Sequence, residues 1–352
     1  MSIPFRQFGS TTIAKVRNSN ELRQLMGKAL PASNTIIIKP NWVSIDPAEF
    51  TDMDTLRMLF EVLDTRIIVV ESYCLARALN ILKNGMSFSV GNQTVNWRWL
   101  LLGKGWNWLI ENPDWGWFKE SEHWEHLKKE EQAFLDQFGF TELFEKFNVT
   151  YVNVTEEVWN GRTAVSDDIK SLVESRFKPV QVDKLYGLVP KKLYDLRGST
   201  FISLARLKMY ASFSMKNLFG MIPDPLRSWW HGPGNCMIAQ NILDINKVYH
   251  SIFNMFGICE AVKGMAYIHP DGEYAGIYSG RYNIKEGRGV IAFGRNLVEL
   301  DTILLGISDP SQRNIVDAIN RIPISLAQDE FGAVDRNLID EASDKVQVWV
   351  SP

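Results

Sequence analysis

Thr35-Ile-Ile-Ile-Lys39-Pro-Asn41 is the stretch on which the fold turns. A short β-branched run ending in a lysine suits a strand buried on both faces, and such strands belong to parallel sheets. A helix is expected next. Thr51 or Asp52 can cap it, and Leu56, Leu59, Phe60 and Leu63 form its apolar stripe. Residues 66–70 are the following apolar strand, which ends at Glu71 and Ser72. Outward from there the alternation continues. Residues 148–154 alternate like a strand, and Ser166 can cap a helix through Ile169, Leu172 and Val173. Residues 200–204 read as a strand, 205–235 as a polar loop punctuated by Gly and Pro, and 237–248 as a helix. Residues 290–293 read as a strand, 297–305 as a helix and 346–350 as a closing strand. The expected class is α/β: a parallel or mixed sheet of βαβ units, with 195 as the place where two lobes would divide. Ligands of such sheets sit beyond the carboxyl ends of strands, which points to the residues just after Ile38, Val70, Leu204 and Phe293.

Residues 96–147 break the rhythm and read as a Trp-rich helical insertion between scaffold segments 1–95 and 148–352. Trp97/Trp99, Trp106/Trp108 and Trp115/Trp117 repeat a W-x-W unit every nine residues, which is too short for a solenoid repeat. The tryptophans fit a packed core, an apolar substrate site or a membrane surface. Glu111, Asp114 and the acids of 120–125 speak against the last. His123 and His126 are i,i+3 neighbours in a charge-rich helix from Lys119 to Phe134, a spacing that fails the zinc-protease pattern.

Composition excludes several classes. The 352 residues carry a formal charge of -3, so no basic face for nucleic acid is expected. The 3 cysteines, Cys74, Cys236 and Cys259, form no CxxC pair, which excludes a disulfide framework and a Cys-ligated iron–sulfur cluster built by this chain alone. No run is apolar enough for a transmembrane segment, and Met1 to Gln7 are too polar for a signal peptide, so a cytoplasmic protein is expected. No G-x-G-x-x-G or Walker A loop appears, so no nucleotide motif supports a cofactor, and the lack of a G-x-S-x-G elbow weakens a serine hydrolase; a metal stays open, as does an oligomer.

The most informative loop runs from Phe201-Ile-Ser-Leu-Ala-Arg206-Leu-Lys208-Met-Tyr210 through Ser214-Met-Lys216-Asn217-Leu-Phe-Gly220, Met-Ile-Pro223 and Arg227-Ser-Trp229-Trp230-His231. Its clustered cations need anionic partners, because an unpaired buried charge costs several kcal/mol. The loop resembles the family called domain of unknown function 362, whose members show L-K-x-H, then K-N-x-F-G-x-I-P, then R-x-x-x-H segments. The likeness extends to Ile38-Lys39-Pro40-Asn41, Asp244 and Val298-Glu-Leu-Asp301, but not to 96–147. It implies an α/β fold with a polar central site. Tyr210, Glu260 and Asn296 stand where the family usually has His, Asp and Asp.

These residues support a small-molecule enzyme acting on a partly anionic, aromatic or apolar substrate by proton transfer beside a stabilised anion. His231, Lys208, Lys216 and Tyr210 are the expected catalytic set. Lys39, Asn41, Arg206, Asn217, Arg227, Trp229 and Trp230 are the expected ligand-binding set. Asp244, Glu260 and Asp301 would balance the charge or bind a metal. The bland alternative pairs Lys208 and Lys216 with Asp244 or Asp301, and the non-catalytic alternative is a carrier of an anionic ligand or cofactor. His250 and His269 are expected to be structural or at the surface, and Cys236 near His231 lacks an orienting group for nucleophilic work.

Overall fold

The computed structural model describes residues 2–43, 50–74, 77, 87–90, 93–96, 123–208, 213–223, 226–232, 236–268, 282–286, 288–307 and 322–350. Its strands in chain order are β1 (Phe5–Phe8), β2 (Thr11–Lys15), β3 (Thr35–Lys39), β4 (Arg66–Glu71), β5 (Ser87–Val90), β6 (Gln93–Asn96), β7 (Thr150–Asn153), β8 (Thr200–Arg206), β9 (Asn254–Ala261), β10 (Gly264–Ile268), β11 (Tyr282–Glu286) and β12 (Val290–Gly294). Its helices are α1 (Ser19–Met26), α2 (Met53–Phe60), α3 (His123–Gln137), α4 (Phe140–Lys146), α5 (Val154–Trp159), α6 (Ser166–Glu174), α7 (Lys191–Tyr194), α8 (Ser214–Asn217), α9 (Leu226–His231), α10 (Ile238–Ile252), α11 (Leu297–Ile307), α12 (Ile322–Phe331) and α13 (Arg336–Val350). Short 3-10 turns cover Asp183–Leu188 and Leu218–Met221.

The β-branched runs do form the buried strands. One 8-stranded sheet has the order β1-β2-β12-β9-β8-β3-β4-β7. Its β9-β8-β3-β4-β7 half is parallel, and β12, β2 and β1 add antiparallel pairings at the other side. Strands from both sides of residue 195 share this sheet. From β3 the chain steps outward to β4 and β7, then returns to the other side of β3 as β8 and steps outward again to β9. The boundary between β3 and β8 is therefore the switch point of the sheet, the place at which sheets of this kind commonly take their ligands.

Alternation within each strand builds two cores. Ile36, Ile38, Val69, Ile202 and Leu204 pack with Leu56 and Leu59 of α2 and with Phe140 and Phe144 of α4. Ile37, Ile68 and Phe201 pack on the other face with Ile242, Ile245 and Val248 of α10. Each such aliphatic side chain contributes about 1.5–3 kcal/mol on burial. A third cluster seats Leu300 and Ile303 of α11 against Ala205, Cys259 and Ala292. Of residues 96–147, the W-x-W repeat lies outside the described residues, while α3 and α4 pack into the α2-side core. There Trp42 meets Phe134 and Phe140 with ring centroids 5.4 and 4.5 Å apart.

Local signals held closely at several ends. Asp52 caps α2 by accepting from Thr55 N at 2.9 Å. Ser166 is the first helical residue, and Val165 occupies the cap. The polar loop of 205–235 contains two short helices, α8 and α9. One expectation fails outright: residues 346–350 are the end of α13, not a strand. Val346-Gln-Val-Trp-Val350 alternates, but Ala342, Val346 and Val350 are buried at helical spacing while Val348 is 74% exposed. The period of four wins because α13 packs on α11 through that stripe. Among the described residues no helix is long and apolar enough to cross a membrane.

Candidate functional site

Lys39 is the last residue of β3, and Ser203 of β8 lies beside it in register. Both sit on the face of Ile37 and Phe201, beneath the loop that leaves β8. The Lys39 ammonium donates to Glu71 Oε2 at 2.8 Å, to Pro40 O at 2.9 Å and to Asn217 Oδ1 at 3.4 Å. Lys39 and Glu71 are each only 2% exposed. Burial, with Arg227 and Arg77 nearby, holds the Lys39 amine below its ordinary range despite the attraction of Glu71.

Asn217 closes α8 and ties three backbones together. Its Nδ2 donates to Lys39 O at 2.9 Å, to Ser203 Oγ at 3.1 Å and to Leu204 O at 3.3 Å. Ser203 Oγ in turn donates to Ser214 O at 2.7 Å. The Leu218–Met221 turn then lies directly on the ion pair. A Cβ at Gly220 would stand 2.6 Å from Lys39 Nζ and 3.1 Å from Glu71 Oε1, so only glycine allows this approach. Glu71 Oε1 also accepts from Ser72 N at 2.9 Å, and Ser72 Oγ donates to Gly220 O at 2.7 Å. Arg227 of α9 completes the arrangement by donating to Ser72 Oγ, to Tyr73 O at 3.2 Å and to Ile222 O at 2.9 Å.

Behind this cluster lies a second buried network. Arg77 donates to Glu131 Oε2 at 2.6 Å and to Ser72 O at 2.8 Å, and Tyr151 donates its hydroxyl to Glu131 Oε1 at 2.6 Å. It anchors the loop after β4 to α3.

His231 ends α9, half-buried, with its ring edge-on to Phe219 at 5.0 Å. Gly232 follows at φ +70°, the left-handed geometry that terminates helices. Trp230 is fully buried and Trp229 partly so, and each indole N–H is buried without a hydrogen-bond partner among the described residues. Most buried donors in proteins have a partner, so these two stand out in the loop. Lys216 is half-buried and Lys208 buried. Asn41 is half-buried, and its backbone pairs with Thr51. Tyr210 and His269 lie outside the described residues.

The other expected residues serve different partners. Arg206 pairs with Glu260, its neighbour across the β8–β9 ladder, at 3.1 Å. Burial pushes the Glu260 carboxyl up, against the pull of Arg206. Asp244 pairs with Lys247 of its own helix at 2.7 Å and accepts from Gln181 N at 2.7 Å. Asp301 accepts from Ser214 N at 3.0 Å, Ser214 Oγ at 2.6 Å and Met215 N at 2.8 Å. Burial pushes this carboxyl up to about 7 even so. Among the described residues no three His, Cys, Asp or Glu side chains form a group able to hold a metal. His250 places Nδ1 2.8 Å from Asn246 O and its ring against Phe331, a packing role.

Lys39, Asn217 and Arg227 thus come together, while Arg206, Asp244, Glu260 and Asp301 are engaged elsewhere. Sequence reasoning assigned no role to Ser203, Gly220, Arg77 and Glu131, and it reached Glu71 only as a position at a strand end. Glu71 had a signal: an acid closing an apolar strand, as Lys39 closes the strand before it.

Comparison with known proteins agrees with the loop's motifs. The model of the family described as "Domain of unknown function (DUF362)" matches residues 36–306, and the chain belongs to that family. No curated protein and no solved structure matches it.

Proposed function

We propose that the crevice at the β3/β8 switch point binds a small, partly anionic molecule and that the chain is an enzyme moving a proton beside the bound anion. The observation that carries this reading is the convergence of Lys39, Glu71, Asn217 and Arg227, from four separate segments, at carboxyl ends of parallel strands. A structural ion pair alone needs no such gathering at the one place where α/β sheets take their ligands. In this reading the Lys39–Glu71 pair fixes the floor beneath Gly220. Lys216 and His231, half-buried on the loop above, meet the ligand, with Lys208 and Tyr210 as further expected members. The lowered affinity of Lys39 for its proton suits a group that shares in proton transfer. The unpartnered indole N–H groups of Trp229 and Trp230 suit an aromatic or hydrogen-bonding portion of the ligand. Work in the cytoplasm and a biosynthetic role belong to the same proposal.

The non-catalytic carrier is the second reading. It is favoured by the complete internal neutralisation of Lys39 by Glu71 and of Arg206 by Glu260.

Native mass spectrometry of the freshly purified full chain tests the site. A stoichiometric small molecule lost from Lys216→Ala and His231→Ala supports it, and one retained by both variants overturns it. Incubating the released molecule with fresh protein separates the readings: an enzyme converts it, whereas a carrier returns it unchanged.

A further inference from the structure

Asp301 belongs to α11, far along the chain from Lys39, yet a continuous path of hydrogen bonds joins them. Asp301 receives both N–H groups that open α8, from Ser214 and Met215, and the Ser214 hydroxyl as well. These donors have no partner within a four-residue helix, so the acid supplies what the helix itself lacks. Asn217, at the other end of α8, carries the only side-chain amide bonded to both the carbonyl and the ammonium of Lys39 among the described residues. Ser203 braces the helix between them, accepting from Asn217 and donating to Ser214 O. The seat is close-fitting: a Cβ on Gly257 would stand 2.7 Å from Leu300 Cδ2 of α11 and 3.1 Å from Ser214 Oγ.

We propose that Asp301 is a positioning residue for Lys39: by holding the start of α8 it aims Asn217, and Asn217 with the Gly220 turn keeps the Lys39 ammonium buried against Glu71. The role rests on the reading of Lys39 as the floor of the ligand site. Its physical content is that loosening α8 lifts the turn off Lys39, admits water and removes the desolvation that depresses its pKa. A cap that merely stabilised the fold would leave that pKa alone.

The test uses the ligand-free full chain with two readings. Lysine side-chain NMR follows the Lys39 titration, its signal assigned by its loss from Lys39→Arg. Amide exchange follows residues 213–221, with β12 as the internal control for an intact fold. In Asp301→Ala the Lys39 midpoint is expected to rise toward 10.5, the ordinary value. Exchange of 213–221 is expected to quicken about tenfold or more while β12 stays protected, the effect of an opening easier by about 1.4 kcal/mol or more. Asn217→Ala should shift Lys39 in the same direction. Asp301→Asn, which keeps one acceptor oxygen, should move both readings less, and it decides the matter if the alanine variant does not fold. An unmoved Lys39 midpoint alongside faster exchange, or no change in either reading, overturns the proposal. Neither reading uses a ligand, so its failure leaves the binding test above standing, and the reverse also holds.

Discussion

Lys39–Glu71 and Arg206–Glu260 are two ion pairs on neighbouring strands, with side chains no more than 2% exposed. They differ in what they join. Arg206 and Glu260 face each other in the β8–β9 register, and each also bonds into the turn that follows β9, through Gly264 O and Val262 N. That pair staples two strands already paired by their backbones. Lys39 and Glu71 instead gather Pro40, Asn217, Ser72 and the Gly220 turn, so their burial decides where a loop nearly two hundred residues from Lys39 comes to rest. Equal burial therefore does not mean equal work. A staple protects the sheet, whereas a hub at the switch point sets where the Gly220 turn rests.

The largest expected effect comes from taking the acid out of each pair. Glu260→Gln strands a guanidinium that cannot shed its proton, and removing one partner of a buried pair costs about 3–5 kcal/mol. Glu71→Gln strands an amine whose proton is already loosely held, so its cost should be smaller, about 1–3 kcal/mol. Urea denaturation of the two variants compares them directly, and equal losses would erase the distinction between staple and hub.

Acidity sharpens the same contrast. Asp301 has an ordinary value of 3.8 and about 7 in the fold, so between these pH values the native state holds a proton that the unfolded chain has lost. Its stabilising contribution is therefore complete below about pH 4, declines as pH rises, and is gone above about pH 7, a swing on the order of a few kcal/mol. The raised carboxyl of Glu260 acts in the same sense, with Arg206 opposing it. The melting temperature of the wild type should fall from pH 5 to pH 8 relative to Asp301→Asn. Parallel curves would remove Asp301 as the titrating group.

Gly220→Ala places a methyl group against the Lys39 ammonium and should cost about 1–3 kcal/mol by overpacking, read as a lowered urea midpoint. Gly187→Ala meets only Ser166 Oγ at 3.8 Å and should cost less. The smallest effect is expected at the surface. Lys191→Ala breaks an exposed i,i+4 pair with Asp195 and should change stability by about 0.3–0.5 kcal/mol.

The hub and the staple were not equally legible in the sequence. Strands such as Thr35–Lys39 and Thr200–Arg206 announce themselves because a β-branched run buried on both faces has few other uses. The K-N-x-F-G segment likewise marked the loop that lies over them. Glu71 was marked only as the end of a strand because its meaning is relational: no local pattern shows that the sheet sets it beside Lys39. Glu131 and Arg77 escaped for the same reason, since nothing local links residue 77 to a helix more than fifty residues on. The closing strand was misread because Val346–Val350 satisfies a period of two as well as one of four, and only the seat on α11 decides between them. Asp301 was singled out as an acid, and the structure sets it against the two N–H groups and the Ser214 hydroxyl that open α8.

Helix α11 carries a second acid, Glu299, which accepts from Ser10 N, Ser10 Oγ and Thr11 Oγ1 at 2.7–2.9 Å and so grips the turn between β1 and β2. One rigid rod thus holds the leading hairpin of the chain in one grip and the start of α8 in the other. Because Glu299 and Asp301 stand two residues apart, a substitution that shifts α11 is expected to disturb the β1–β2 turn and the start of α8 together.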